Sequence, residues 1–211
     1  MYGFLARVYR TEVDEGFLAS LKEVDFAELA SQGEPGEGAA LLQDYLHRPA
    51  LAMRKDLAVD FAKVFLAAGI SQGGAAFPYE SVYTSPDRLV MQEARDQVLS
   101  LYRAKGIALN GVVEPEDHLA FELEFMLLLI DEGREAAEAA DFAALERSVQ
   151  EQREFLQSHL LNWVPRFCED VWAYANTDFY KAIAQITKEF LGYDAALLGG
   201  AVEGEGISDG R

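Results

Sequence analysis

Residues 114–130 read EPEDHLAFELEFMLLLI and include the longest apolar run of the chain. From Leu119 to Ile130 the segment is apolar on nearly every face, which is typical of a helix buried in a core. Only Glu122 and Glu124 interrupt it. At about 100° per residue these glutamates point about 200° apart and cannot share a face. The segment therefore predicts a core helix in which at least one glutamate meets buried surroundings.

Apolar residues recur at three-to-four spacing along most of the remaining chain, which indicates helices rather than strands. Helices are predicted over residues 14–32, 51–68 and 155–172, with a kink or restart at Pro165. A long loop is predicted over residues 69–84. We therefore predict an all-α protein, a single globular bundle of about eight to ten helices.

The predicted bundle covers residues 1–198, and a glycine-rich tail at 199–211 is predicted to be disordered. A second loop at 106–114 is a possible hinge between two helical halves. Such a hinge could permit domain swapping, so the chain is expected to be a monomer or a domain-swapped homodimer.

Capping residues predict where several helices begin. Residues 85–87 read Ser-Pro-Asp, and a serine cap, a proline at the first position and an acid in the first turn all favour a helix start there. Pro115 is predicted to open the core helix in the same way, with Asp117 and His118 in its first turn. Asp141 and Thr177 are predicted to cap later helices.

The chain is strongly acidic. Its 211 residues include 36 acidic and 18 basic ones, a formal net charge of -18. Residues 111–160 alone hold 13 acids and 3 bases, or -10. This charge argues against nucleic-acid binding, which needs a basic footprint, and against binding to an anionic membrane. The acidic stretch is either a set of solvated helix faces or a surface that receives a cationic ligand.

Membrane insertion and disulfides are not expected. The longest apolar run, Phe125 to Ile130, has six residues, whereas a membrane span needs about 20. Cys168 is the only cysteine, and we predict that it is buried and structural. A lone thiol fits a reducing compartment, and the N-terminus lacks a signal-peptide pattern, so we expect a cytoplasmic protein.

Catalytic motifs are missing from the sequence. There is no phosphate-binding loop, dinucleotide fingerprint, nucleophile elbow or Glu-x-x-His pair. His118 and Glu122 lie one helical turn apart, but no further ligands cluster with them. We expect no metal, no cofactor and no enzymatic activity. Residues 114–118 can be read either as helix capping with a surface histidine or as a functional site.

A family resemblance favours the functional reading. Glu-Pro-x-Asp-His followed by Leu-x-x-Glu-Leu-x-Phe-Met, residues 114–126, resembles the signature of the TorD/DmsD family of cytoplasmic chaperones for molybdopterin redox enzymes. Residues 78–83 resemble the family's loop motif and residues 60–65 one of its helices. Residues 155–191 resemble its C-terminal half. The resemblance covers most of residues 40–195, and the N-terminal residues match only in helical character.

The resemblance implies a system-specific, non-catalytic chaperone. It would bind the twin-arginine signal peptide or precursor of a molybdopterin oxidoreductase and hold it for cofactor loading before Tat export. The implied signal-peptide-binding residues are Tyr79, Ser81, Tyr83, Glu114, Pro115, Asp117 and His118. Arginine pairs well with carboxylates, so the arginines are expected on Glu114, Glu116 and Asp117. Tyr79, Tyr83 and Phe77 are expected to cover the apolar part of the signal.

Three alternatives remain open at this point. A NarJ-like chaperone would act on a catalytic subunit that is not exported. A nucleotide-binding or nucleotide-hydrolysing helical enzyme would show turnover that depends on Asp117. A helical adaptor would bind no leader peptide. On the chaperone reading, Asp117→Ala or His118→Ala is expected to weaken peptide binding while the fold stays intact.

Overall fold

The chain folds into α-helices, as its apolar spacing predicts. The computed structural model describes residues 1–26, 28, 36–49, 53–72, 74–108 and 113–203. The α-helices in this part are α1 (Tyr2–Arg10), α2 (Glu15–Lys22), α3 (Gly36–Leu46), α4 (Met53–Phe65), α5 (Glu80–Thr84), α6 (Glu93–Ala104), α7 (Leu119–Glu138), α8 (Phe142–Phe155), α9 (Val164–Tyr174) and α10 (Asp178–Glu203). A 3-10 turn (Ile70–Gln72) precedes α5, and a π-helical turn (Leu156–Leu160) extends α8. No strand occurs among these residues, so the all-α prediction is confirmed.

Helix α7 is the predicted core helix. It packs against α1 and α8, and Leu119, Leu123 and Met126 are fully buried. Glu122 is buried as well, whereas Glu124 is exposed and lies 2.7 Å from Arg10. The prediction that one of the two glutamates is buried is therefore confirmed.

Two of the helix starts predicted in the C-terminal half are correct, at Asp141 and Pro165. Asp141 caps α8 by accepting from the amide of Ala144 at 2.9 Å, as predicted. Pro165 lies in the first turn of α9, so the chain restarts a helix there, also as predicted. Thr177 directly precedes α10, and its hydroxyl donates to the buried carboxylate of Asp60 at 2.7 Å. That contact ties the start of α10 to α4.

Helices α10 and α3 approach each other closely. A Cβ atom at Gly38 would lie 2.6 Å from the main-chain nitrogen of Ile186. No side chain fits in that gap, so a glycine is required where the two helices meet. Cys168, in α9, is buried as predicted, and burial raises the pKa of its thiol to about 12. A buried, protonated thiol fits the predicted structural role.

The helix start predicted at residues 85–87 is wrong. Helix α6 begins at Glu93, and Arg88 and Met91 have φ angles of 53° and 61°, which an α-helix does not allow. The hydroxyl of Ser85 accepts from the amide of Leu89 at 3.3 Å. Serine here favours a local turn instead of a helix, since its side chain satisfies the main chain of that turn.

The helix start predicted at Pro115 is also wrong. Helix α7 begins at Leu119 with His118 as its N-cap, and Pro115 and Asp117 lie in the turn before it. The carboxylate of Asp117 is bonded to the amide of Ser81 and so is not used as a cap. The helix start is displaced by a tertiary contact, because the amide that bonds to Asp117 belongs to Ser81, 36 residues away in the chain.

Other element boundaries differ from the predictions. Helix α2 ends at Lys22, and the predicted loop over 69–84 contains the 3-10 turn and α5. The predicted disordered tail begins inside α10, which continues to Glu203. Residues 204–211, and residues 109–112 of the predicted hinge, lie outside the described residues. Across the described chain, no helix is both long enough and apolar enough to span a membrane.

Candidate functional site

Two distant segments of the chain are joined at the start of α7. Tyr79 and His118 form an isolated antiparallel bridge. On either side of it, the amide of Glu80 donates to the carbonyl of Asp117 at 3.0 Å, and the amide of Leu119 donates to the carbonyl of Pro78 at 2.9 Å. These main-chain bonds hold the Tyr79 segment beside His118 without the help of side chains.

The buried side chain of Asp117 adds a further hydrogen bond to this junction. Its carboxylate accepts from the amide of Ser81 at 2.8 Å, and both residues are 0% exposed. Burial raises the pKa of the Asp117 carboxyl, against the lowering effect of its bonds to Ser81. The predicted contact between Asp117 and a peptide arginine is not possible in this arrangement, because its carboxylate does not reach solvent. Asp117 instead positions the Tyr79 segment.

His118 caps α7 and is neutral at physiological pH. Its Nδ1 accepts from the amide of Ala120 at 3.1 Å, so the ring hydrogen is on Nε2. Burial lowers the pKa of His118 to about 4, and the positive charge of Arg10 acts in the same direction. The ring packs edge-on against Tyr79, with centroids 5.1 Å apart. His118 therefore offers an N–H donor rather than a positive charge.

A cleft of about 190 Å³ opens beside this pair, and we call it the Tyr79 cleft. Its inner wall is apolar and contains Phe61, Phe65 and Phe121. Its polar groups come from Arg10, Tyr79, Glu114 and His118. The hydroxyl of Tyr79 donates to the carboxylate of Glu114, which is exposed. The cleft thus combines an aromatic wall, one N–H donor and one accessible carboxylate.

The structure brings some of the predicted site residues together and separates others. Tyr79, Glu114 and His118 line the Tyr79 cleft, and Ser81 and Asp117 lie buried behind it. Pro115 lies in the turn between them. Tyr83 is only 7% exposed, and its hydroxyl donates to Asp170 at 2.9 Å. Tyr83 is absent from the lining of the cleft.

The acidic residues of this region do not converge on one groove. Glu116 forms a two-bonded ion pair with Arg95, at 2.5 and 3.0 Å, and Glu124 pairs with Arg10. Of the three carboxylates predicted to receive arginines, Glu114 is exposed, Glu116 is half-buried and paired with Arg95, and Asp117 is buried. Within the described residues, no group of three or more His, Cys, Asp or Glu residues is arranged to hold a metal ion.

A second set of acids is buried beneath the site. Glu80 and Glu122 are 2% and 0% exposed. Glu80 accepts from the Nδ1 of His159 at 2.9 Å and from the side-chain amide of Asn162 at 2.8 Å. Glu122 accepts from the indole N–H of Trp163 at 3.1 Å. Burial raises the pKa of Glu122 far above its usual range, with Glu80 and Asp117 adding to the effect, so Glu122 is held neutral.

Comparison with known proteins agrees with this architecture. The model of the nitrate reductase delta subunit family matches residues 31–169, which is more than half of the chain. The chain belongs to this family. Members similar to it include the chaperone protein TorD of Vibrio cholerae, 34% identical over 66% of this chain and 60% of that protein. The TorD protein of Vibrio parahaemolyticus is 28% identical over 94% of this chain and 93% of its own. The predicted resemblance is confirmed.

A solved structure supports the fold. A protein of Archaeoglobus fulgidus described as a redox enzyme maturation protein superposes with a TM-score of 0.54 at 19% identity, covering 91% of this chain and 94% of that one. At this identity the likeness concerns the fold alone. The chain spans about 60% of the length of the Vibrio cholerae TorD protein that it matches.

Sequence reasoning missed part of the Tyr79 cleft. Arg10 lies over the ring of Phe121 at 5.1 Å and brings a cation into a site expected to be acidic. In the sequence analysis residues 1–40 resemble the TorD/DmsD family only in helical character, so no motif marked Arg10. Phe61 and Phe65 do lie in a segment that resembles a family helix, and their four-residue spacing was the available signal.

Proposed function

We propose that this protein is a maturation chaperone that binds the twin-arginine signal peptide, or the precursor, of a molybdopterin oxidoreductase and holds it for cofactor loading before Tat export. Membership of the delta-subunit family supports the chaperone class, as do the TorD relatives. The proposal places the protein in the cytoplasm as a single bundle over residues 1–198. It includes no catalytic step.

The Tyr79 cleft is the observation that carries the proposal. Its phenylalanine wall suits an apolar side chain of the leader, since burial of apolar surface favours such contacts by roughly 25 cal/mol per Å². The Nε2–H of His118 can donate to a peptide carbonyl, and Glu114 can accept from a peptide N–H or from one arginine. These are the contacts that an extended apolar peptide with a basic start requires.

Calorimetric titration of a synthetic leader peptide tests this role. The peptide has two adjacent arginines followed by ten apolar residues, and Tyr79→Ala is expected to weaken its binding about tenfold, by loss of the ring and of the bond to Glu114. Tyr193→Ala is the matched control, because Tyr193 is exposed and absent from the cleft. Failure of the wild-type protein to bind any leader peptide would overturn the proposal.

The description of the matching family supports a second candidate function. A delta-subunit chaperone that acts on a non-exported catalytic subunit would recognise the mature body of its client rather than a leader. Capture experiments with the leader alone and with the leaderless client separate the two. Retention of the leaderless client with no retention of the leader favours the second candidate.

A further inference from the structure

A second cleft lies further along α7 and shares no lining residue with the Tyr79 cleft. Its volume is about 390 Å³, which falls within the usual range for ligand sites, about 300–1,000 Å³. Helices α6, α7 and α8 form it, together with the π-helical turn at Leu156–Leu160. We call it the His159 cleft.

The walls of the His159 cleft are apolar. Leu101, Phe125, Leu129 and Phe155 contribute side chains from three helices. The Phe125 and Phe155 rings pack on each other with centroids 4.7 Å apart and form the buried floor of the cleft. An apolar cavity of this kind favours an apolar group or the apolar stem of a long polar side chain.

His159 places one unpartnered ring nitrogen in these walls. The residue is 7% exposed, and its Nδ1 donates to the carboxylate of Glu80 at 2.9 Å. Its Nε2 has no hydrogen-bond partner among the described residues. The π-helical turn that carries His159 is an irregularity of a kind that is frequent at functional sites.

The charge at the mouth of the His159 cleft is negative. Among the described lining residues Lys105 is the only basic one, and it is already paired with Glu132 at 2.7 Å and Glu151 at 2.6 Å. Glu154 is exposed, and in the described part of the chain it accepts from the neutral side chain of Gln150 at 2.7 Å and forms no ion pair. An uncompensated carboxylate beside an apolar groove selects a ligand that is cationic and partly apolar.

We propose that the His159 cleft binds an arginine side chain of the client peptide. The aliphatic part of arginine would lie along Leu101 and Leu129, and its guanidinium would reach the exposed carboxylate of Glu154. This inference rests on the proposed function for the source of the peptide. The Tyr79 cleft suits an arginine less well, since Arg10 already lies there.

The placement of the two clefts is compatible with one peptide. Phe121 lines the Tyr79 cleft, and Phe125 and Leu129 line the His159 cleft on the same helix. Along the α7 axis these positions are about 6 and 12 Å apart. An extended peptide covers such distances with about two to four residues.

Nuclear magnetic resonance on the full-length protein tests the cleft directly. Titration with N-acetyl-Arg-Arg-amide is expected to shift the backbone amides of residues 101–105 and 154–159. The matching peptide with citrulline in place of arginine keeps the shape but has no charge, and it should cause much smaller shifts. Shifts confined to other residues, or equal shifts with citrulline, would show that the cleft is not an arginine site.

Leader-peptide titrations then separate this inference from the proposed function. Glu154→Gln is expected to weaken binding about three- to tenfold. Glu146→Gln removes the same charge from an exposed position on the same helix and should have little effect. If Glu154→Gln binds like wild type while Tyr79→Ala does not, the arginine site is wrong and the proposed function stands. If the wild-type protein binds no leader peptide, the proposed function fails and the dipeptide titration alone decides the arginine site.

Discussion

The main-chain amide of Ser81 donates to the carboxylate of Asp117 over 2.8 Å, across 36 residues of chain. Both residues are fully buried. Tyr79 reaches His118 because of this bond and the main-chain bonds beside it. Asp117 therefore acts on the Tyr79 cleft by holding its wall in place.

Replacement of Asp117 should change stability as well as binding. Asp117→Ala leaves the buried Ser81 amide without an acceptor, which should lower the free energy of unfolding by about 1–3 kcal/mol. This replaces the sequence-based expectation of an intact fold. Asp117→Asn keeps an oxygen for Ser81 and should retain most of the stability. Urea unfolding measures both variants, and a wild-type midpoint for Asp117→Ala would contradict the positioning role.

The variant His118→Asn tests separately the two roles of His118, as the N-cap of α7 and as a donor to the ligand. Asparagine is a favoured N-cap residue and can accept from the Ala120 amide, so the variant should unfold within about 0.5 kcal/mol of wild type. It lacks an N–H group at the Nε2 position, so leader-peptide affinity should fall. Unchanged affinity by calorimetry would remove His118 from the binding contacts.

The pH dependence of His118 follows from its lowered pKa. The folded protein keeps the ring neutral down to about pH 4, whereas the unfolded chain takes up a proton below about pH 6.5. Between these values the unfolded state binds more protons, so stability should fall as the pH is lowered. His118→Asn should reduce that slope. Peptide affinity should be flat from pH 8 to about pH 6, because His118 does not change charge there.

Glu122 should produce the opposite slope. Its pKa is raised in the folded state, so folding holds a proton that the unfolded chain releases above about pH 4.5. Stability from this group is therefore complete at low pH and declines as the pH rises toward the folded pKa. In Glu122→Gln the amide can accept from Trp163 and donate to Glu80, and the decline should disappear. Denaturant midpoints across the pH range measure it, and identical slopes for both proteins would contradict a protonated Glu122.

Two buried tyrosines provide a matched pair. The hydroxyl of Tyr180 is buried without a hydrogen-bond partner among the described residues, so Tyr180→Phe should stabilise the protein by about 1 kcal/mol. The hydroxyl of Tyr9 bonds to Thr187 at 2.8 Å, and Tyr9→Phe should cost a similar amount. Thermal unfolding compares the two variants, and shifts of the same sign would contradict this assignment of partners.

The fold was largely predictable because the helical apolar pattern is a local property. Leu119, Leu123 and Met126 lie on the buried side of α7 as their spacing requires. The start of α7 could not be predicted in this way. Asp117 is as good an N-cap as Ser or Asn in isolation, but Ser81 supplies a competing donor that no local pattern reveals.

The candidate site was predictable where a motif covered it and unpredictable elsewhere. Tyr79, Glu114 and His118 lie together as the family resemblance implied, although their contact with a peptide stays a prediction. Arg10 is brought to the cleft by the packing of α1 on α7. Tyr83 belongs to the same motif as Tyr79. It lies four residues later, in α5, and its hydroxyl donates to Asp170 instead of lining the cleft.

The Tyr79–His118 bridge links the proposed client recognition to global folding. The two halves of the Tyr79 cleft come from distant segments, so a partly folded chain has no such cleft and a ligand for it would bind only the native state. Occupancy at 100 times the dissociation constant should therefore raise the unfolding free energy by about 2.7 kcal/mol. On the proposed function, the chaperone and its client would then stabilise each other, and a melting curve alone would serve as a search for the client.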